Sequence, residues 1–189
     1  MVAEILQYFS DDIRIYNIEA DALYSGIMID TNNFTAKTGV RTFEAAAFLR
    51  RCGADVTRVR KMFRDDVKSY KAKAEAIRNV ETYKGSFAIS VCPSEGIDSP
   101  TVVASQAANE LLNVDSIRAS FVLTDYQNKI YISARAIDEV NVQIIMERLG
   151  GGGHINMAGA QLPGISVNEA IRQLKETLDK MMKEGDIEA

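Results

Sequence analysis

The residues best suited to chemistry lie in one short run, Leu149-Gly-Gly-Gly-Gly-His154. Consecutive glycines just past a helix turn sharply, take positive φ without a Cβ penalty, and can aim several bare N–H groups at one anion. His154, the only histidine in the chain, follows at once and can offer a hydrogen bond or a positive charge to the same oxygens. Composition leaves a second reading open, a solvated glycine-rich turn, because glycine runs also serve as linkers. The flanks favour the anion site. The run sits between an apolar helix and the small-residue stretch Ala158-Gly-Ala160, which allows close backbone packing.

Other polar residues carry weaker signals. Asp30 ends a predicted helix, where a carboxylate opposes the helix dipole; metal ligation and an ordinary surface aspartate both stand at this point. The adjacent acids Asp11, Asp12, Asp65 and Asp66 lie in polar segments and read as solvated surface. Cys52 and Cys92 are the only cysteines and belong to no Cys-x-x-Cys or Cys/His cluster, so they read as free thiols. Met146, Met157, Met181 and Met182 read as packing residues.

The elements that must position these groups fall into two patterns. From Val2 to about Val80 nearly everything reads as helix, and only Asp12–Tyr16 suggests a strand. A helix through Ala20, Leu23, Ile27 and Ile29 ends at Asp30; Thr42 is the expected N-cap of a helix Phe43–Arg51; another helix runs Asp55–Phe63. The segment Arg64–Asn79 is rich in Lys, Arg, Ala and acids, which suits a solvated connecting helix. Beyond it the pattern changes. Ser86–Cys92 alternates at period two, Pro100–Leu112 is helical, and Arg118–Thr124 and Lys129–Ala134 flank a turn as a hairpin. Asn141 is the expected N-cap of an amphipathic helix reaching Leu149, and a last helix runs from about Val167 to Lys183. The fold class is therefore α/β of the α+β kind. Its parts are a mainly helical lobe over residues 1–64, a linker helix over 65–80 and an α+β domain over 81–189. An α/β enzyme domain needs several strands, and the first lobe supplies at most one, so it reads as truncated.

The 189 residues are 47% hydrophobic and 25% charged, an ordinary globular balance. No apolar run approaches the roughly 18–20 residues that span a bilayer, and nothing at the start reads as a signal peptide, so a cytoplasmic location is expected. The net charge of −4 argues against coating duplex nucleic acid through bulk electrostatics. Any anionic ligand must be held by a local site.

The stretch I-S-A-R-A-I-D-E-V-N-V-Q-I-I-M-E-R-L-G-G-G-G-H, Ile132–His154, closely resembles the DHH-associated domain of the DHH phosphoesterase superfamily. Within that superfamily, V-V-A-S-Q-A-A-N-E-L-L at Val102–Leu112 and A-S-F-V-L at Ala119–Leu123 most resemble the GdpP type of cyclic-di-AMP phosphodiesterase. G-I-M-I-D-T-N-N-F-T at Gly26–Thr35 and T-G-V-R-T-F at Thr38–Phe43 look like the end of the DHH domain of the same enzymes.

The resemblance implies hydrolysis of a cyclic dinucleotide to a linear one by two manganese ions, with Asp30 as one metal ligand. It implies that Gly151, Gly152, Gly153 and His154 bind substrate phosphate, with Arg135 as a second phosphate contact whose fork of donors suits phosphodiester oxygens. Ser105 and Gln106 fall in a segment that lies near the cleft in the family; base contact at Ser105 stands beside helix capping and packing. Members usually follow the arginine with serine, and Ala136 stands there in this chain. The family's H-x-x-x-D-x-D motif and Asp-His-His triplet are not in this sequence, so two metals cannot be assembled from Asp30, and this chain alone is expected to be inactive. The implied parent is membrane-anchored upstream, and a homodimer is possible. Alternatives are an oligoribonuclease or phosphoadenosine-phosphate phosphatase of the same superfamily, or a non-catalytic nucleotide-binding module.

Overall fold

The computed structural model describes residues 1–9, 14–35, 38–137 and 140–188. Asp11 and Asp12, with the start of the expected strand at Asp12–Tyr16, lie outside the described residues. The chain divides into two compact units, Met1–Arg64 and Asp65–Ala189.

The first unit contains helices α1 (Val2–Phe9), α2 (Asn17–Asp30), α3 (Val40–Arg51) and α4 (Val56–Met62), with no strand among its described residues. The end of the expected strand is instead the lead-in to α2: Tyr16 is extended, and its N–H donates to the Glu19 carboxylate at 2.8 Å. The expectation for Thr42 is also corrected. Helix α3 starts at Val40 with Gly39 as N-cap, and the Thr42 hydroxyl reaches back to accept the Gly39 N–H at 3.3 Å. Ala20, Tyr24, Ala45, Leu49 and Val59 form the buried centre of the unit. Buried Asp21 ties α2 to α4. Its carboxylate accepts from Arg58 Nε at 2.6 Å and from the Asp55 N–H at 2.7 Å, and the Arg58 hydrogen bond first, then that of Asp55, holds it below the usual aspartate range.

The second unit opens with α5 (Val67–Arg78) and continues β1 (Glu81–Tyr83), β2 (Phe87–Val91), α6 (Pro100–Leu111), β3 (Ala119–Tyr126), β4 (Lys129–Ala136), α7 (Val142–Arg148), β5 (Gly152–His154), β6 (Met157–Pro163) and α8 (Val167–Glu184). The strands form one six-stranded sheet in the order β1-β2-β3-β4-β6-β5. Only β2 and β3 pair in parallel, with α6 as their crossover. Gln127 and Asn128 both take positive φ, 52° and 59°, the backbone that a two-residue hairpin turn of matching twist requires.

Alternation along the strands sends side chains to two faces. Phe87, Phe121, Leu123, Ile132 and Ala134 pack with Ile145 of α7 and Leu174 and Leu178 of α8. Ala88 and Val122 face the other way, toward α6 and α5. Buried hydroxyls on that side are satisfied by backbone: Ser90 donates to Ala76 O at 2.5 Å, Ser120 to Ala108 O at 2.7 Å and Thr124 to Cys92 O at 2.9 Å. Helix α5, expected as a solvated connector, belongs to this unit. Ala72 and Ala76, one turn apart, form a narrow apolar face buried in the second core.

Candidate functional site

The site begins with the end of α7. Asn141 caps its start, accepting the N–H groups of Gln143 and Ile144. At its end the Gly150 N–H donates to Glu147 O at 3.0 Å and the Gly151 N–H to Met146 O at 2.8 Å, a Schellman closure made possible by the φ of +76° at Gly150. Two of the four glycine amides therefore satisfy helix carbonyls, and the expected bend of bare amides is corrected: a helix end leaves carbonyls unpaired, and the first N–H groups past it take them up.

The chain then becomes strand β5, paired Gly152↔Gly159, Gly153↔Ala158 and His154↔Met157. Directly opposed residues of an antiparallel pair share a face. Strand β6 pairs in turn with β4, Gly159↔Ser133 and Met157↔Arg135. Two transverse rows follow. Ser133, Gly159 and Gly152 make one; Arg135, Met157 and His154 make the next, both on the face opposite the Phe121 core.

The glycines differ in what they do. A Cβ on Gly151 would lie 2.1 Å from Gly159 O and 2.8 Å from Ala160 Cβ, and one on Gly153 would lie 2.5 Å from Ala158 Cα. Both let β5 approach β6. A Cβ on Gly152 would meet nothing within 4 Å, because it points into open space above the sheet. That space is a concavity of about 470 Å³ lined by Thr101, Tyr131, Ser133, Gly152, Gly159 and Gln161, among others, within the size range of small-ligand sites.

Arg135 stands at the neighbouring row. Its Nη1 donates to Ala134 O at 2.9 Å, while its buried Nε has no partner, and no carboxylate pairs with it among the described residues. Burial pushes its pKa below the ordinary arginine value, yet a guanidinium remains charged in proteins. A partly buried cation without an anionic partner is costly unless an anion arrives. His154 is exposed in the same row, beyond Met157. Ser105 lies one helical turn after Thr101 on α6, and its hydroxyl donates to Val102 O at 2.8 Å, so its donor is tied within its own helix and only its acceptor lone pairs are left. Gln106 Oε1 is buried without a partner. Sequence reasoning missed Tyr131, Gln161 and Gly159; the period-two alternation of Lys129–Ala136 was the signal that could have placed Tyr131 on the same face as Arg135.

The DHHA1 domain model matches residues 84–184, which takes in the strands β4, β5 and β6 that carry these rows. The chain belongs to the DHHA1 family. It is 40% identical over 97% of its length to the cyclic-di-AMP phosphodiesterase PdeA of Listeria monocytogenes and 43% identical over 98% to the cyclic-di-AMP phosphodiesterase GdpP of Bacillus subtilis, and it spans 28% of the length of each. The crystal structure of an exopolyphosphatase-related protein from Bacteroides fragilis shares the fold, with a TM-score of 0.78 at 21% identity over 88% of this chain and 51% of that one. Among the described residues no helix is long and apolar enough to cross a membrane.

In the first unit, Asp30 is exposed at the end of α2, on a shallow concavity of about 270 Å³ that it shares with Glu4, Thr31, Arg41 and Thr42. Arg41 pairs with Glu4 at 2.7 Å. Among the described residues no three His, Cys, Asp or Glu side chains converge as metal ligands. A hard cation suits the Asp30 carboxylate, but the donors among the described residues do not fit a two-metal centre.

Proposed function

We propose that the second unit is the substrate-holding part of a phosphodiesterase that hydrolyses cyclic di-AMP to the linear dinucleotide. The observation that carries this reading is the partly buried Arg135 guanidinium, with its Nε unfilled and no carboxylate paired with it among the described residues, in one row with exposed His154. A phosphodiester supplies the missing acceptor: its anionic oxygens accept from the arginine fork and from the imidazole, and Gly152 leaves room for the ribose-phosphate chain to lie on the sheet. The relatives at 40% and 43% identity are cyclic-di-AMP phosphodiesterases, which supports the same substrate class.

In this reading Gly151 and Gly153 serve the phosphate through the backbone path they permit, Ser105 borders the same face, and Asp30 is one ligand of a manganese pair completed elsewhere in a longer, membrane-anchored protein with this part in the cytoplasm. The 189-residue chain alone then binds without turnover. Isothermal calorimetry of the linear dinucleotide pApA and of cyclic di-AMP against the chain tests this. Binding lost in a His154→Ala, Arg135→Ala double variant is expected; equal affinity in wild type and variant contradicts it. Mn²⁺-dependent hydrolysis by the isolated chain would overturn the assignment of the metal centre elsewhere.

A further inference from the structure

The concavity does not end at the glycine row. One step along the strands, away from Arg135 and His154, lies a third row on the same face, made by Tyr131 of β4 and its β6 partner Gln161. Two residues of strand advance about 7 Å. The face therefore has a side-chain-poor floor, Ser133-Gly159-Gly152, with the row of Arg135 and His154 along one side and a wall of phenol and carboxamide along the other, outer Cα rows about 13 Å apart; the concavity itself is lined by the floor and this second wall. Thr101, at the start of α6, lines the same concavity as Tyr131 and Gln161.

The second wall is held in place. The Tyr131 ring is braced by Tyr126, with centroids 6.3 Å apart and planes at 52°. Gln161 Oε1 accepts from Lys129 Nζ at 3.4 Å, which occupies the carboxamide oxygen and leaves its Nε2 donors without a protein partner among the described residues. Among the described residues no carboxylate lines the concavity. A braced aromatic ring, a donor beside it and an empty floor, one ribose away from a phosphate site, form the complement of a purine base.

We infer that Tyr131 and Gln161 hold the purine of the nucleotide whose phosphate lies at Arg135 and His154, with Tyr131 stacking on the base and Gln161 donating to a ring nitrogen at its edge. The inference rests on the phosphate assignment above and adds to it the residues that select a base. Stacking on an aromatic side chain is sensitive to removal of the ring and indifferent to the phenol oxygen. The roughly 13 Å between the outer Cα rows leaves room for one nucleotide, where a bare phosphate would engage only the row of Arg135 and His154.

The test compares pApA with ribose 5-phosphate, which carries the sugar and phosphate without a base, by titration of the 189-residue chain. Wild type is expected to bind pApA at least about tenfold more tightly than ribose 5-phosphate, Tyr131→Ala to lose about that factor for pApA alone, and Tyr131→Phe to retain it. His154→Ala is expected to weaken both ligands. In wild type, nuclear Overhauser contacts between the Tyr131 ring and the base protons report the stack without any substitution. Equal affinity for the two ligands, unaltered pApA binding in Tyr131→Ala, or base contacts to another aromatic residue would overturn the inference while leaving the phosphate site intact. Failure of both ligands to bind would overturn the phosphate assignment itself.

Discussion

Arg135 and His154 occupy one transverse row of the sheet, separated only by Met157, through the pairings Arg135↔Met157 and Met157↔His154. The turn that sets this register is tied at two points: the Ile155 carbonyl accepts from Val142 N–H at 2.9 Å, and the Asn156 carbonyl from Ala136 N–H at 3.1 Å. Helix α7 and the end of β4 thus fix where the imidazole stands relative to the guanidinium. A slip of one residue would carry His154 to the opposite face.

A group kept for binding and costly in the free protein gives a distinctive signature on removal. Arg135→Met keeps the aliphatic stem and deletes the unpaired charge. Its thermal unfolding temperature is expected to equal or exceed that of the parent, while affinity for pApA falls at least about tenfold for the lost charge-assisted pair. Differential scanning calorimetry and titration on the same preparation check both halves. Loss of stability together with binding would make Arg135 a structural residue.

The glycines separate in the same way. Gly151→Ala and Gly153→Ala place a methyl against the β6 backbone, and each is expected to destabilise by about 1–3 kcal/mol or more. Gly153 adds strain through its φ of +150°. Gly152→Ala meets nothing in the free protein and is expected to leave stability within about 0.5 kcal/mol, while its methyl on the floor of the concavity weakens dinucleotide binding. Urea denaturation of the three variants, with binding measured for Gly152→Ala, distinguishes the roles.

Much of this arrangement is legible in the residues. The apolar spacing of Val142, Ile145 and Met146, the Asn141 cap and the alternation of Phe87–Val91 each announce their element. Strands β5 and β6 do not announce themselves. Gly152–His154 has no apolar side chain to alternate, and Met157–Pro163 buries only the alanines Ala158 and Ala160, so the pattern is too faint to distinguish from a loop. Pairing with β4 supplies the order that local composition lacks. The same omission hid the concavity, because Gln161 and Gly159 join Tyr131 and Ser133 only through that pairing. The glycine run invited an anion nest, and the capping demand of α7, which takes the first two amides, decided otherwise.

Tyr83 offers a prediction outside the site. Its hydroxyl donates to Asp179 Oδ1 at 2.8 Å, joining β1 to α8. Burial first, then the hydrogen bond to Asp179, pushes its pKa up to about 12. A tyrosine whose folded pKa lies above the unfolded value of about 10 contributes stability that is complete below about 10 and is lost as pH rises through the folded value. Absorbance titration of phenolate formation is expected to show one of the seven tyrosines ionising about two pH units late, and Tyr83→Phe to remove that step. Titration of all tyrosines near their ordinary value would contradict the Tyr83–Asp179 pairing.

The most direct test of the phosphate assignment is the map of backbone and His154 side-chain resonances as pApA is added to the isotope-labelled chain. The account predicts saturable shifts at Ser133, Arg135, Gly152, His154 and Gly159, absent when His154 and Arg135 are both alanine. Saturable shifts confined to other surfaces, with this row unmoved, would contradict it.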